Sequence, residues 1–216
     1  MCRLLCVRGR AGFPMDEHLA PFTRIARDSR EYQGHGWGCA WLEDGRWRLY
    51  HNIRPIWEDT WRPSGRTTLL LAHARSAFRD EGIQVENNMP FHDGERVFIF
   101  NGELHGVRIK ERGRIGAEKV FNFVKRFDRG NFRLALERGL GVIQRRTRYV
   151  RAMNLIVAGA SRRIHFATAF REDPGYFQMH RATLGDTRVI SSEPYPGPSR
   201  ATAAWSPIPN GTVATF

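Results

Sequence analysis

Apolar runs ended by turn signals dominate the chain, and most of them predict strands. Runs rich in β-branched and aromatic residues are typical of strands. They occur at 2–8, 36–43, 46–52, 67–75, 96–101, 153–159, 163–170, 187–191 and 212–216. Between the second and third of these runs, Glu43-Asp44-Gly45 predicts a hairpin turn.

Three segments carry apolar residues at helical spacing. In 116–128 the apolar positions are Val120, Phe121, Val124 and Phe127. In 131–146 they are Leu134, Leu140 and Ile143. In 16–31, where Asp16 is the expected cap, they are Leu19, Phe22, Ile25 and Ala26. Because strands come before and after the central helices, the order favours a layered α+β fold over repeated βαβ units. The length of 216 residues predicts a single domain over 1–216.

Composition narrows the class of protein. The formal net charge is +12, but arginine supplies nearly all of the positive charge, and no basic stripe with interleaved aromatic residues marks a nucleic-acid-binding module. No apolar run has membrane-spanning length, and charge interrupts the first residues too soon for a signal peptide. The three cysteines, Cys2, Cys6 and Cys39, suit a reducing compartment. We therefore expect a cytoplasmic protein that binds neither nucleic acid nor membrane.

Cys2 directly follows the initiator methionine. Removal of Met1 would leave one residue with both a thiol, of pKa near ~8.5, and an α-amine, of pKa near ~8. The amine, directly or through one water, could then take the thiol proton. This is the N-terminal nucleophile arrangement, in which the chain terminus replaces the usual histidine base. The alternative interpretation is that Cys2 is a small apolar residue that opens the first strand.

Four short segments follow Cys2 in an informative order. They read Gly34-His35-Gly36-Trp37-Gly38-Cys39-Ala40-Trp41, Ala72-His73-Ala74-Arg75-Ser76-Ala77, Asn87-Asn88-Met89-Pro90-Phe91 and Phe98-Ile99-Phe100-Asn101-Gly102-Glu103-Leu104. Together with Cys2 they resemble the class II glutamine amidotransferases, in particular the small stand-alone members that begin Met-Cys-Arg. The resemblance extends to Met153-Asn154-Leu155-Ile156 and Ser191-Ser192-Glu193-Pro194 near the end.

The resemblance implies a fold and a set of catalytic residues. The fold is the four-layer αββα sandwich of the N-terminal nucleophile hydrolases. Cys2 matches the nucleophile, and Asn101 and Gly102 match the pair that forms the oxyanion hole, where donors must be fixed in advance. Arg75 matches the arginine that holds the substrate α-carboxylate by two parallel hydrogen bonds.

Further residues are expected to bind substrate, with alternatives left open. Arg3 adjoins the nucleophile and either orients the terminus or lines the cleft. His35 and Trp37 are pocket wall or structure. Ser76 continues the arginine motif. His73 is expected to pack rather than to catalyse.

The sequence also departs from the family pattern. Gly116 stands where the resembling proteins carry the aspartate that holds the substrate α-ammonium, and only Glu118 remains of that acidic element. Phe78 replaces a usual threonine, Phe100 a histidine before Asn-Gly, and Met89 a second histidine. Losing a carboxylate leaves a buried ammonium unpaired, so either another acid substitutes or the substrate is not free glutamine.

We expect an enzyme that hydrolyses the side-chain amide of glutamine or a γ-glutamyl compound through a thioester on Cys2. The alternatives are an amidohydrolase for a non-glutamine γ-glutamyl amide and a catalytically silent interaction subunit that retains the fold. No cofactor is expected, and the histidine and cysteine spacings offer no metal site. The expected partner is a small-molecule amide, and ammonia either leaves or passes to a separate acceptor synthase subunit. The sequence does not indicate an oligomeric state.

Overall fold

Two antiparallel sheets stack between helices in the computed structural model, which describes residues 1–197 and 204–216. Within that part of the chain, the larger sheet has the spatial order β11 (Ser206–Pro207), β9 (His180–Leu184), β10 (Thr187–Ser191), β1 (Arg3–Pro14), β4 (Arg66–Ala74), β2 (Trp37–Glu43) and β3 (Arg46–Asn52). The smaller sheet has the order β12 (Val213–Thr215), β8 (Ile164–Ala167), β7 (Thr147–Gly159), β6 (Arg96–Val107) and β5 (Phe91–His92). The helices are α1 (Asp16–Arg27), α2 (Gly116–Lys125), α3 (Phe132–Arg145) and the short α4 (Pro174–Phe177).

The strand β1 lies inside the larger sheet and is covered on both faces, which explains its unbroken apolar run. Leu4 and Cys6 belong to the cluster that also holds the smaller sheet. Leu5 and Val7 pack in the cluster that holds α1. Because side chains alternate along a strand, one face of β1 meets the second sheet and the other meets a helix.

The helices α2 and α3 cover the outer face of the smaller sheet. Phe121 of α2 stacks on Phe98 of β6, with ring centroids 4.7 Å apart. In α3 the buried face includes Leu136, Leu140 and Ile143, whereas the predicted Leu134 is only half-buried. With α1 on the other side, the order of layers is helix, sheet, sheet, helix. The predicted four-layer αββα sandwich is therefore confirmed.

Several predicted boundaries were wrong. The helix α1 ends at Arg27 rather than near 31, and its N-cap is Met15, so that Asp16 is the first helical residue. The strands β1, β6 and β7 are longer than their apolar runs, because polar residues continue the ladders beyond the core. The strands β5, β9 and β11 and the helix α4 were not predicted. No helix of the described residues is long and apolar enough to cross a membrane.

Candidate active site

The pairing of β1 with β4 brings Cys2 beside Arg75. The two strands are antiparallel, with Arg3 opposite Ala74 and Leu4 opposite His73. The next pair in that register is Cys2 and Arg75. Alternation along β1 also puts Cys2 on the face of Leu4 and Cys6, towards the second sheet. The strand register therefore places these two predicted site residues side by side.

Cys2 lines a cavity of about 1020 Å³. Its Sγ atom lies 3.6 Å from the main-chain oxygen of Ser76. Burial raises the pKa of the Cys2 thiol, while the terminal ammonium and the Arg75 guanidinium act in the opposite direction. In this structure Met1 is still attached, so the nitrogen of Cys2 is an amide and cannot serve as a base.

Arg75 is buried, with 4% of its surface exposed, yet it forms no ion pair among the described residues. Its Nη1 donates to Asn88 Oδ1 at 3.3 Å, and its Nη2 donates to the carbonyl oxygen of Gly82 at 2.9 Å. Burial lowers the pKa of Arg75, and the Cys2 thiolate opposes that shift. A buried cation that lacks an acidic partner is costly, so the site favours an anionic ligand here.

The glycine-rich segment before β2 forms two hydrogen bonds with the backbone of Arg75. The N–H of His35 donates to the carbonyl oxygen of Arg75 at 3.1 Å, and the N–H of Arg75 donates to the carbonyl oxygen of Gly36 at 2.9 Å. Gly36 has φ +105°, and a Cβ there would lie 2.1 Å from Nδ2 of Asn88. A side chain at position 36 would therefore displace the residue that holds the Arg75 guanidinium.

Gly102 forms part of the cavity wall, and its lack of a side chain is required there. A Cβ at Gly102 would lie 2.2 Å from Cζ of Phe100 and 2.7 Å from the carbonyl oxygen of Ala152. Asn101 precedes it in β6 and is 1% exposed; its side chain is not part of the wall, and its Oδ1 atom has no hydrogen-bond partner among the described residues. The structure thus brings Gly102 to the cavity and leaves the Asn101 side chain behind it.

Three more predicted substrate-binding residues, Ser76, Phe78 and Gly116, line the same cavity. Gly116 is the first residue of α2, does not have positive φ, and a Cβ on it would meet nothing within 4 Å. Glu118 lies outside this cavity and bonds to the backbone and guanidinium of Arg114 instead. Glu118 therefore does not replace the carboxylate that is absent at position 116.

Three residues expected to contact substrate do not line the cavity. Arg3 lies on the opposite face of β1 from Cys2, with its guanidinium 4.1 Å from the Tyr176 ring and ion-paired to Glu193. Trp37 is fully buried and donates to Asp59 at 2.8 Å. His35 Nδ1 accepts from the N–H of Ala77 at 2.8 Å, which fixes the loop after Arg75. None of these three side chains therefore forms part of the cavity wall.

His73 connects the two sheets and stays neutral. Its Nε2 donates to the carbonyl oxygen of Phe100 at 3.2 Å. Burial lowers the pKa of His73 to about 3, and Arg75 adds to the effect. A histidine held neutral in this way packs and bonds, as the sequence predicted, and does not act as a base near pH 7.

Sequence reasoning missed a group of charges at the cavity edge. Glu31 and Glu103 line the cavity, and both pair with Arg151, at 3.4 and 2.9 Å. Glu31 also pairs with the α-ammonium of Met1. Glu31 and Arg151 lie outside the quoted motifs, and Glu103 lies within the motif around Asn101 but was given no role there; the three come from a loop, from β7 and from β6. Asn88 lies within the quoted segment 87–91, but that segment alone did not indicate that Asn88 binds the Arg75 guanidinium.

No protein-family model matches the sequence, and no curated protein matches it either. Solved structures do match. The glutamine phosphoribosylpyrophosphate amidotransferase of B. subtilis, complexed with ADP and GMP, has a TM-score of 0.63 at 14% identity, over 89% of this chain and 42% of that one. The chain therefore spans less than half the length of that protein.

Two solved structures of similar length match over nearly their whole chains. A predicted glutamine amidotransferase from Pseudomonas aeruginosa PA01 has a TM-score of 0.60 at 15% identity, over 100% of this chain and 97% of that one. A glutamine aminotransferase class-II domain protein from Silicibacter pomeroyi has a TM-score of 0.62 at 15% identity, over 100% and 94%. At such identity the likeness concerns the fold. The chain therefore has the fold of the class II glutamine amidotransferases, the αββα sandwich of the N-terminal nucleophile hydrolases.

Proposed function

We propose that this protein hydrolyses the side-chain amide of glutamine or a γ-glutamyl compound, with Cys2 as nucleophile after Met1 is removed. The observation that carries the proposal is the register of β1 on β4, which sets Cys2 beside a buried Arg75 at one cavity. A thiol next to a cation without an acidic partner suits an electrophilic substrate that carries a carboxylate. The shared fold supports the same chemistry.

In the proposed reaction the Cys2 thiol gives its proton to its own α-amine and attacks the amide carbon. The tetrahedral oxyanion is held by the backbone N–H of Gly102, which lines the cavity, and by the side-chain amide of Asn101, which has to turn into the cavity to reach it. The C–N bond then breaks, the ammonium returns its proton to the leaving nitrogen, and a thioester remains. Water adds to the thioester, with the amine again taking the proton, and the S–C bond breaks to give the acid and the free thiol.

The volume of the cavity and the glycine at position 116 of its wall favour a substrate other than free glutamine. A cavity of about 1020 Å³ is at the upper end of the range for drug-sized ligands, far more than one amino acid needs. Gly116 gives no charge to an α-ammonium and leaves open space at the start of α2. A γ-glutamyl amide whose α-amine is acylated would fill that space without an unpaired charge.

The test combines mass spectrometry with a substrate panel. Loss of one methionine from the purified protein is expected, because the proposed mechanism needs a free amine on Cys2. Released acid and ammonia are then measured for glutamine, γ-glutamyl amides and N-acylated glutamine, each with the Cys2→Ala variant as blank. Activity that survives in that variant would rule out the nucleophile. A processed protein that is inactive on the whole panel would favour a silent interaction subunit.

A further inference from the structure

The carboxylate of Glu31 already binds an α-ammonium in this structure. It pairs with the terminal ammonium of Met1, and both residues line the cavity next to Cys2. The Met1 side chain is 9% exposed, and the Glu31 side chain is 28% exposed. Glu31 is thus held at the chain end, partly out of water, where an ion pair is stronger than on an open surface.

Two contacts besides the Met1 ammonium hold Glu31 in place. Arg151 Nη2 lies 3.4 Å from its carboxylate, and Nε2 of the fully buried Gln33 donates to its main-chain oxygen at 2.7 Å. Removing Met1 deletes neither partner of these two contacts, although Gln33 Nε2 then loses one of its other acceptors, the Met1 oxygen. The carboxylate would therefore stay near the chain end and would have to move by at most one residue step, about 3.8 Å, to reach the new terminus.

The carbonyl group of Met1 shows what surrounds the nitrogen of Cys2. Its oxygen accepts from Nε2 of Gln33 and from the hydroxyl of Tyr176, each at 2.6 Å. That carbonyl carbon is bonded to the nitrogen of Cys2, so both side chains lie next to the future amine. A Tyr hydroxyl can also accept, and Oε1 of Gln33 is buried with no partner among the described residues. The Tyr176 hydroxyl is therefore one group near the position of the new terminus that can accept from the amine.

We infer that, once Met1 is removed, Glu31 binds the α-amine of Cys2 in place of the Met1 amine and fixes it beside the thiol. This inference rests on the proposed function, since it concerns the base of that reaction. Glu31 would be a positioning residue, because it acts through the amine and does not touch the reacting amide. Arg151 would in turn hold Glu31.

The charge of Glu31 sets the direction of the pH effect. A carboxylate favours the ammonium form, so it raises the pKa of the Cys2 α-amine, and it also raises that of the thiol. The amine and thiol titrate as a pair, so removal of the carboxylate lowers both apparent values. The other titratable or charged groups around the chain end are Arg3, His35, His73, Arg75, Glu103, Arg151 and Tyr176. None of these is changed in the Glu31→Gln variant.

The experiment measures the pKa of the Cys2 α-amine directly. Each protein is released from a leader by a protease that leaves Cys2 first, so that exposure of the amine does not depend on processing. Cysteine labelled with ¹⁵N reports the amine by NMR across a pH titration without any substrate. Glu31→Gln should lower this pKa by roughly one unit, the lower end for an opposite charge within hydrogen-bond range, because Glu31 is partly exposed.

Glu172→Gln is the matched control. Glu172 also pairs with Arg151, at 2.6 Å, but it is not part of the cavity wall. That variant loses the same kind of contact and should leave the amine pKa unchanged. An equal pKa in the wild type and Glu31→Gln would overturn the inference, as would an equal drop in Glu172→Gln.

A second variant covers the case in which Glu31→Gln does not fold. Glu31→Asp keeps the charge but draws it back by one methylene, so the amine pKa should fall part of the way; an unchanged value would count against the inference. The pH profile of kcat/KM for amide hydrolysis should shift to lower pH with the amine pKa. A raised amine pKa in a protein without amidase activity would refute the proposed function and leave the Glu31 contact standing.

Discussion

Replacing Arg75 by lysine tests the most specific feature of the proposed site. The loop around Arg75 uses one N–H on each of Nη1 and Nη2, for Asn88 and Gly82. The remaining N–H groups of the planar fork are left for a ligand. A lysine ammonium keeps the charge but cannot hold the loop and offer two parallel bonds to a carboxylate at once. We therefore expect Arg75→Lys to lose one charge-assisted hydrogen bond to substrate.

The size of the effect follows from that single bond. A hydrogen bond to a charged group contributes about 1.5–3 kcal/mol. At about 1.4 kcal/mol for each factor of ten, kcat/KM should fall roughly 10- to 150-fold. The assay compares a γ-glutamyl amide with the same compound in which the α-carboxylate is amidated. The loss should be large for the first and small for the second, because only the first can form the bond.

Arg79→Lys provides the matched control. Arg79 also lines the cavity, but it is exposed and its guanidinium lies over the ring of Phe78, 5.1 Å from the centroid. Arg79→Lys should change kcat/KM by less than about twofold, as expected for an exposed cation. An equal loss for both substrates in Arg75→Lys would make Arg75 a structural residue and refute the reasoning.

Further substitutions test the remaining parts of the proposed mechanism. Cys2→Ser should abolish activity and labelling by a glutamine-like diazo-ketone, whereas Cys39→Ala should keep most activity, because burial raises the pKa of the Cys39 thiol; labelling at Cys39 alone would exclude Cys2 as nucleophile. Asn101→Ala should lower kcat by roughly 10²–10³-fold with little change in KM, and unchanged kinetics would make Asn101 a buried structural residue. Gly116→Asp should raise kcat/KM for free glutamine about tenfold relative to N-acylated glutamine, because the new carboxylate can pair with the α-ammonium and a Cβ at position 116 meets nothing within 4 Å. Gly116→Asn is the uncharged control, and a wild type that already prefers free glutamine would show that another acid holds the ammonium.

Sequence patterns correctly predicted the strands that have an apolar run of their own and the helix whose apolar residues recur at helical spacing. The hairpin of β2 and β3 and the strand β10 appear at or within one residue of the expected bounds. The inward face of α1 was also correct, since all four of its predicted apolar positions are buried. The strand β9 was missed because every second residue is exposed and it forms by pairing with β10. Such a strand has no apolar run of its own.

The candidate site was predictable only where a motif carries the chemistry. Cys2, Arg75 and Gly102 meet at the cavity because strand register brings them there, and the order of the motifs anticipated this. Trp37 was expected to be pocket wall or structure because its loop lies beside Cys2 in the resembling fold, and Arg3 was expected to orient the terminus or line the cleft because it adjoins Cys2. Both point to the other face of their strands, and the sequence does not reveal which face meets the second sheet.

The interior position of β1 ties Cys2 to the folding of the larger sheet. Leu4, Leu5, Cys6 and Val7 have no exposed surface, and β1 pairs on both sides, with β10 and β4. Their amide hydrogens can exchange with solvent only when the larger sheet opens, which requires global unfolding. Chain ends usually fray first, but here the residues next to Cys2 should be among the slowest to exchange. Loss of the proposed activity on heating should accordingly follow the cooperative melting of the protein, because the Cys2 thiol keeps its position until the sheet opens.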